Sequence, residues 1–337
     1  MPIMFSGETA NDIWDPAAKQ LMALYDTVTS RSGDTYELLH VLLSISNPKE
    51  KWVSNRIPAM SISFALAELI WILNGSDTAE IINYWNSTLS RYAGHDDNYH
   101  GAYGFRIRHN FGVDQLEKAF CVLHNKPESR QTVILIWDPK KDLPQDDGSP
   151  SNADIPCNIC SLLKVRNNKL EWTQIMRSND VFLGLPYNLI QFTSMQEILA
   201  GWLEIGIGSY THYSDSLHLY TRNCDKMGIE TIEHSKNVDS LSVPKDVFDM
   251  VVKEIYNRMR TIVYTDIDEV KLGSISDLNS ESQAYNNIMR IISAYVARKK
   301  GLLSLKDKII KDCSNPLYIE IWNQWEKSQK EGVKYHE

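Results

Sequence analysis

Four short stretches of this 337-residue sequence carry side chains that could do chemistry, each where a turn meets an apolar run. The first is Ile155-Pro156-Cys157-Asn158, where a polar segment delivers a cysteine onto what reads as the start of a strand. A thiol there is a nucleophile if a nearby cation or dipole lowers its pKa, and an inert small hydrophobe if it is packed among apolar groups. Cys160 stands three residues on, but no second C-x-x-C or H-x-x-H completes a zinc site. On a strand the two thiols would also face opposite ways, so a metal is discounted. The second stretch is Met176-Arg177-Ser178-Asn179-Asp180, continuing through Phe182-Leu183-Gly184-Leu185-Pro186-Tyr187-Asn188. A guanidinium fork beside a hydroxyl suits a phosphate, though the same pair also makes a surface ion pair and a turn. Asn188, near the start of a helix, has the ordinary reading of a cap. In the third stretch, Asp215-Ser216-Leu217-His218-Leu219-Tyr220, His218 and Tyr220 share one face of an extended chain and offer two polar tips to a sugar hydroxyl, or pair structurally. The fourth is Glu68 within FALAELIWIL. A carboxylate inside an apolar helix has a raised pKa, and is either functional or paired with a buried arginine.

The elements that must hold these groups follow from periodicity. Residues 14–29 carry helical spacing (Leu21, Leu24, Tyr25 and Val28) up to a break at Ser30-Arg31-Ser32-Gly33. Residues 36–46 are a short apolar strand or helical turn, and 61–73 a buried helix closed by Asn74-Gly75. TVILIW (132–137) reads as a buried strand, and 140–154 as an exposed loop rich in Asp, Pro, Ser and Gly. Cys157 to Ile175 reads as strand, hairpin at Asn167-Asn168, strand; 188–206 is a long apolar helix, and 281–300 an amphipathic one. Strands and helices mix without a βαβ rhythm, which predicts an α+β fold.

Composition narrows the function classes. Lys and Arg number 35 against 43 Asp and Glu, a net charge of −8, which argues against non-specific coating of nucleic acid but not against a local pocket for one phosphate. A 43% hydrophobic, 23% charged chain is that of a soluble globular protein, with no uncharged apolar run long enough to span a membrane. Five scattered cysteines make no disulfide framework, and the start MPIMFSGETANDIWDP lacks the features of a signal peptide, so a reducing cytoplasm is expected.

Taken in order, these clusters resemble the thymidylate synthase superfamily, which includes the nucleotide hydroxymethylases; the likeness runs from about Arg31 to Asn223. Arg31-Ser32-Gly33 is similar to the family's phosphate-binding loop, and Glu68 in AELIWILNG to its catalytic glutamate. Tyr103 in GAYGFRIR is similar to its active-site tyrosine, and Pro156-Cys157 to its nucleophile motif. Arg177-Ser178-x-Asp180-x-Phe182-Leu183-Gly184-x-Pro186-Tyr187-Asn188 resembles the longest family signature, and His218-x-Tyr220 the pair that holds the sugar 3′-hydroxyl. Ser129-Arg130 resembles the phosphate arginine that one subunit lends to its partner, which implies a homodimer.

The resemblance implies a large twisted mixed sheet flanked by helices, a catalytic domain over 1–225 and an extension over 226–337 packed on it. It implies 5,10-methylenetetrahydrofolate as one-carbon donor to C5 of a pyrimidine 5′-monophosphate, with no metal, nucleic acid or membrane partner. Cys157 would add to C6, helped by Arg177; Glu68 would shuttle protons through water, and Tyr103, Asn158 and Asp180 would complete the catalytic set. Arg31, Arg130, Arg177 and Ser178 would hold the phosphate, His218 and Tyr220 the sugar, and Asp180 and Gly184 the folate. The amide of Asn188 donates to uracil O4 and accepts from N3–H, which points to dUMP, although an amide can rotate toward cytosine.

Departures from the pattern point to the branch. Asn158 follows the cysteine where synthases carry histidine, Met176 replaces a glutamine, and Ser216 an aspartate. Ser90 aligns with a tryptophan that packs on the intermediate, and KSQKEGVKYHE lacks the short apolar tail that closes synthase sites. A site so opened lets water compete with hydride, which predicts 5-hydroxymethylation of dUMP, with reductive methylation to dTMP as the alternative. A non-catalytic nucleotide-binding homologue and a hydrolase built on Cys157 and His218 are the rivals from other classes.

Overall fold

The computed structural model describes residues 2–330; the tail residues 331–337 lie outside the described part. Among the described residues there are ten strands: β1 (Ile3–Gly7), β2 (Val28–Ser30), β3 (Gly33–Ile45), β4 (Arg56–Ile57), β5 (Val133–Leu135), β6 (Asn158–Arg166), β7 (Lys169–Met176), β8 (Asn179–Asp180), β9 (Gly206–Tyr220) and β10 (Gly228–Ile229). Eight form one mixed sheet along the path β1-β3-β9-β7-β6-β5, with β2 on β3 and β8 on β9; β4 and β10 make a separate ribbon. Pairings β1/β3, β7/β9 and β8/β9 are parallel and the rest of the sheet is antiparallel, which is the mixed α+β architecture expected from the sequence. Irregularities at His40 (φ 58), between Asn158 and Cys160, and between Leu170 and Trp172 interrupt the ladders in three central strands, where bulges bend a sheet and increase its twist.

The helices that matter for the site are α1 (Ala10–Met22), α2 (Ile62–Leu73), α3 (Gln115–Asn125), α4 (Leu185–Trp202), α5 (Lys245–Tyr264), α6 (Gln283–Lys299), α7 (Leu303–Asp312) and α8 (Pro316–Lys330). Helix α2 starts at Ser61, whose hydroxyl accepts from the Phe64 amide, and stops at Asn74, with Gly75 at φ 69 beyond it. Every residue of α2 is buried except Glu68. Helices α4, α5, α6 and α8 all pack on it, so residues after 226 contribute to the same core. That core is dense with large side chains: Trp14, Trp172, Trp322 and Tyr285 are fully buried.

Three expectations are corrected. Helix α1 ends at Met22 rather than running through Thr29, because Val28 and Thr29 are drawn into a ladder with β3; Tyr25, placed on the buried face by periodicity, is 95% exposed. The 140–154 segment is not simply an exposed loop: Asp142 is buried, receives both arms of Arg106 at 2.8 and 3.0 Å, and accepts from the Asp138 amide. Asn188 does not cap α4; Gly184 does, with Pro186 in the first turn, and Asn188 stands one turn inside.

Candidate active site

The sheet brings three strand ends together. Cys157 immediately precedes β6, Arg177 and Ser178 follow β7, and β8 lays Asn179 and Asp180 against Leu217 and His218 of β9. The first pair is locked by backbone: the Arg177 amide donates to the Cys157 carbonyl at 3.0 Å. Arg177 then turns its guanidinium back on the incoming chain, Nε to the Pro156 carbonyl and Nη2 to that of Ile155, both at 3.1 Å. The cation is thereby held beside the thiol.

Above these ends lies a cavity of about 260 Å³ whose lining includes Glu68, Tyr103, Cys157, Gly184 and Asn188. Glu68 comes down from α2 beside Phe64, Trp71 and Ile72, and is the one residue of that helix that is not fully buried. Tyr103 arrives on a turn that can approach α2 only because Gly104 has no side chain: a Cβ there would sit 2.3 Å from the Ile72 carbonyl oxygen. Gly184 is required for a similar reason, since its Cβ would lie 2.8 Å from Asn179 Oδ1.

Burial sets the electrostatics. It raises the Glu68 pKa to about 7, against a smaller opposing effect from Gln191, whose Nε2 donates to Oε2 at 2.6 Å. The Cys157 thiol is also pushed up by burial; Arg177 and, more weakly, Arg31 pull it down without cancelling that rise. Arg177 is the largest influence drawing the thiol toward the thiolate, but burial outweighs it and the thiol stays protonated at neutral pH. Tyr103 is raised by burial and by the neighbouring Cys157, and keeps its phenolic proton. Asp180 is raised by burial against the pull of His218, and its Oδ1 accepts from the amides of Phe182 and Leu183 at 2.7 and 2.9 Å.

The remaining expected residues sit around this centre at different distances. Ser178 Oγ is 3.4 Å from His218 Nδ1, and the His218 and Tyr220 rings meet edge to face at 5.3 Å. His218 thus engages Ser178 and Asp180, not a Cys157 dyad, which removes the support for a hydrolase. Arg31 lies in the β2–β3 turn and reaches the Ala153 carbonyl at 3.3 Å. Asn158 is buried beside Tyr103, its Oδ1 accepting from Gln174 at 2.8 Å. Arg130 is not brought to this cavity: it is exposed, lining a separate surface depression with Arg166, Asn167 and Asn168. Ser90 does not face the cavity either; its neighbours Asn86, Thr88, Leu89, Tyr92 and Ala93 line that wall with Trp71, mixing polar and apolar surface.

Several site residues were missed from sequence. Gln191 lies three residues after Asn188 on α4, a spacing that puts both on one face and could have exposed it. Asp154 lines the cavity and accepts from the Gly101 amide at 2.7 Å. Arg56 is 1% exposed, lies 4.2 Å over the Phe182 ring, and lines the cavity with three guanidinium nitrogens that donate to nothing among the described residues. Nothing in the local sequence NRIP signals it.

Comparison with known proteins places this geometry in context. The family model described as thymidylate synthase matches residues 53–271. Two phage proteins named deoxyuridylate hydroxymethyltransferase are similar: that of Bacillus phage SP01 is 28% identical over 254 residues, 72% of this chain and 64% of its own. That of Pseudomonas phage M6 is 30% identical over 166 residues, 49% of this chain and 46% of its own. The chain therefore spans between about half and two thirds of the length of these relatives. A thymidylate synthase of Bacillus mojavensis is 27% identical over 228 residues, 64% of this chain and 77% of its own. With the family model covering well over half of the sequence, and the strand ends assembling as described, the chain belongs to the thymidylate synthase family.

Proposed function

We propose that this protein transfers a one-carbon unit from 5,10-methylenetetrahydrofolate to C5 of dUMP and delivers it as a hydroxymethyl group. The observation that carries the proposal is that one cavity joins Cys157, Glu68, Tyr103 and Asn188, a nucleophile, a carboxyl with pKa about 7, a phenol and a base-reading amide. The similarity to two phage deoxyuridylate hydroxymethyltransferases supports the choice of branch. Cys157 passes its thiol proton to water as the substrate phosphate and Arg177 order around it; the thiolate pair forms the S–C6 bond, and the C5–C6 π pair moves to C5 and, by conjugation, to O4. Glu68, near its midpoint at neutral pH, gives and takes the protons at O4 and C5 through water. Asn188 holds the base edge, Tyr103 lines the same cavity, and the buried Asn158 supports Tyr103 from behind. Arg31, Arg177, Ser178 and Arg130 of the partner subunit hold the phosphate, and His218 and Tyr220 the sugar hydroxyl, in an obligate homodimer of the cytoplasm. In this reading residues 1–225 form the catalytic part and 226–337 an extension packed on it.

The residues present fit the folate. Arg56 offers unused buried donors to carboxylates, and Oδ2 of Asp180, buried and accepting from nothing among the described residues, suits a donor-rich heterocycle. Gly184, Trp71 and Leu183 give a flat apolar bed. When bound, the folate supplies carbon at the oxidation level of formaldehyde.

Reductive methylation to dTMP is the second reading, favoured by one observation: Leu89, Tyr92 and Ala93 line the cavity where Ser90 does not, an apolar patch that limits water beside the polar Asn86 and Thr88. Mass analysis of the product from dUMP, dCMP, UMP and CMP with methylenetetrahydrofolate decides between them. Hydroxymethyl-dUMP without dihydrofolate absorbance is expected; dTMP with stoichiometric dihydrofolate would overturn the hydroxymethyl reading.

A further inference from the structure

Asn179 stands at the one place in Arg177-Ser178-x-Asp180 that the sequence motif leaves open, and it is 2% exposed. Its side chain is hydrogen-bonded at both ends. Nδ2 donates to Met176 Sδ at 3.3 Å, an atom that can only accept and so fixes this end of the amide as the nitrogen, and it lies 3.1 Å from Nε2 of His212; Oδ1 accepts from Nδ2 of Asn188 at 3.2 Å. His212 is fully buried on β9 with its Nδ1 3.0 Å from the Tyr210 hydroxyl. Gly184 keeps the space beside Asn179 Oδ1 open.

Hydrogen-bond polarity runs one way through this chain. Burial lowers the His212 pKa to about 3, so the ring is neutral and carries a single N–H. An Nε2 that receives the Asn179 amide must be bare, so the proton sits on Nδ1 and is donated to the Tyr210 oxygen. Asn179 then has only its oxygen left to face Asn188, and an oxygen can only accept. Asn188 must therefore turn its nitrogen toward Asn179. The second N–H of Asn188 and its Oδ1, which holds no hydrogen bond among the described residues, are left as a donor–acceptor edge.

We propose that Asn179, set by the His212 tautomer, is the positioning residue that fixes the Asn188 amide in the sense that reads uracil and rejects cytosine. This rests on the reading of Asn188 as the group that holds the base. An amide alone fits either base, since rotating it by half a turn exchanges its oxygen and nitrogen. Uracil presents O4 as acceptor and N3–H as donor, and cytosine presents the reverse. With the relay in the order found, the rotated amide would set the Asn188 oxygen against the Asn179 oxygen, leaving two acceptors facing each other in a buried site. Asn179 thus supplies the selectivity that Asn188 lacks by itself.

The test uses the intact protein and nucleotide alone, by calorimetric titration of dUMP and dCMP without folate. Wild-type protein is expected to prefer dUMP. Asn179→Leu, close in size and unable to accept, is expected to lower the dUMP/dCMP affinity ratio at least about tenfold, the scale of one hydrogen bond of about 1.4 kcal/mol. Asn179→Asp, which still accepts from Asn188, is expected to keep the ratio within about threefold of wild type. An unchanged ratio in Asn179→Leu, with dUMP still preferred, overturns the relay while leaving the assigned substrate intact. Binding of neither nucleotide by wild type, or a preference for dCMP, overturns both. If the variants do not fold, nitrogen-15 NMR of wild-type His212 decides: a protonated Nδ1 and bare Nε2 are expected, and the Nε2–H tautomer overturns the proposal.

Discussion

Gln191 Nε2 donates to Glu68 Oε2 at 2.6 Å, joining α4 to the one carboxylate of α2. This bond supports the ionised carboxylate, while burial, the larger influence, opposes it and leaves the group titrating at about 7. Removing the amide in Gln191→Met should push the pKa higher still. The pH profile of kcat/KM, which reports the free enzyme, is expected to carry an inflection near 7 that moves upward in Gln191→Met and disappears in Glu68→Gln. The same shift has a sign for stability. Between about 4.5, where the unfolded carboxyl titrates, and about 7, the folded state binds more protons than the unfolded one, so this group's contribution falls as pH rises across that window. Glu68→Gln should therefore stabilise the fold at pH 8, by up to about 3 kcal/mol on the pKa shift, relative to its effect at pH 4. Urea unfolding at the two pH values measures this; an equal effect at both would remove the buried-charge explanation.

Arg177 acts on Cys157 through charge and through the backbone it grips. Arg177→Met removes the largest influence lowering the thiol pKa, so the thiolate fraction at a fixed pH falls. Iodoacetamide labelling of Cys157 at pH 8 is expected to slow by about tenfold, one pKa unit in thiolate population. Cys157→Ala should abolish turnover and leave dUMP affinity within a few-fold of wild type. Turnover surviving Cys157→Ala would exclude covalent addition at C6.

Local chemistry explains what the sequence made legible. The Asn167-Asn168 hairpin was readable because both residues adopt φ of 51 and 57, a conformation asparagine tolerates, between two strands of alternating pattern. The ends of α2 were readable because Ser61 and Asn74-Gly75 satisfy its end groups themselves. Cys157, Arg177 and Asn188 were found by order along the chain. Arg56, Asp154, Asn179 and His212 were not, because each takes its role from a partner distant in sequence or from the cavity itself. The early end of α1 has the same origin: Tyr25 and Val28 fit the helical period, but a neighbouring strand offered a ladder. Long-range pairing overrides local period wherever the two compete.

Lys51 and Glu197 form an ion pair at 2.7 Å with side chains 3% and 1% exposed, and Glu197 also accepts from the Ser240 hydroxyl and the Leu241 amide. The pair thus ties the segment before α5 to α4. Burial pushes the Glu197 pKa up, but Lys51 and these donors together bring it below the ordinary value. Lys51→Met leaves the carboxylate buried without its cation and is expected to cost about 3–5 kcal/mol in urea unfolding. The double variant Lys51→Met/Glu197→Met should recover most of that loss, because the desolvated charge goes with its partner. A double variant as unstable as the single one would mean that packing, not charge, dominates here.

Arg130 is exposed and lies apart from the cavity of its own chain, so a role in phosphate binding requires a second subunit. Shared sites give a distinctive arithmetic. Cys157→Ala and Arg130→Ala chains are each expected to be inactive or nearly so alone. A mixed dimer pairs the intact Cys157 of one chain with the intact Arg130 of the other at one of its two sites. With random exchange half of all dimers are mixed, so an equal mixture should recover about a quarter of wild-type activity, as a two-fold interface requires. Refolding the two variants together, and measuring turnover at saturating dUMP, reads this directly. Arg130→Ala activity equal to wild type would confine the phosphate site to Arg31, Arg177 and Ser178; no recovery on mixing although mixed dimers form would exclude the loan of Arg130 across the interface.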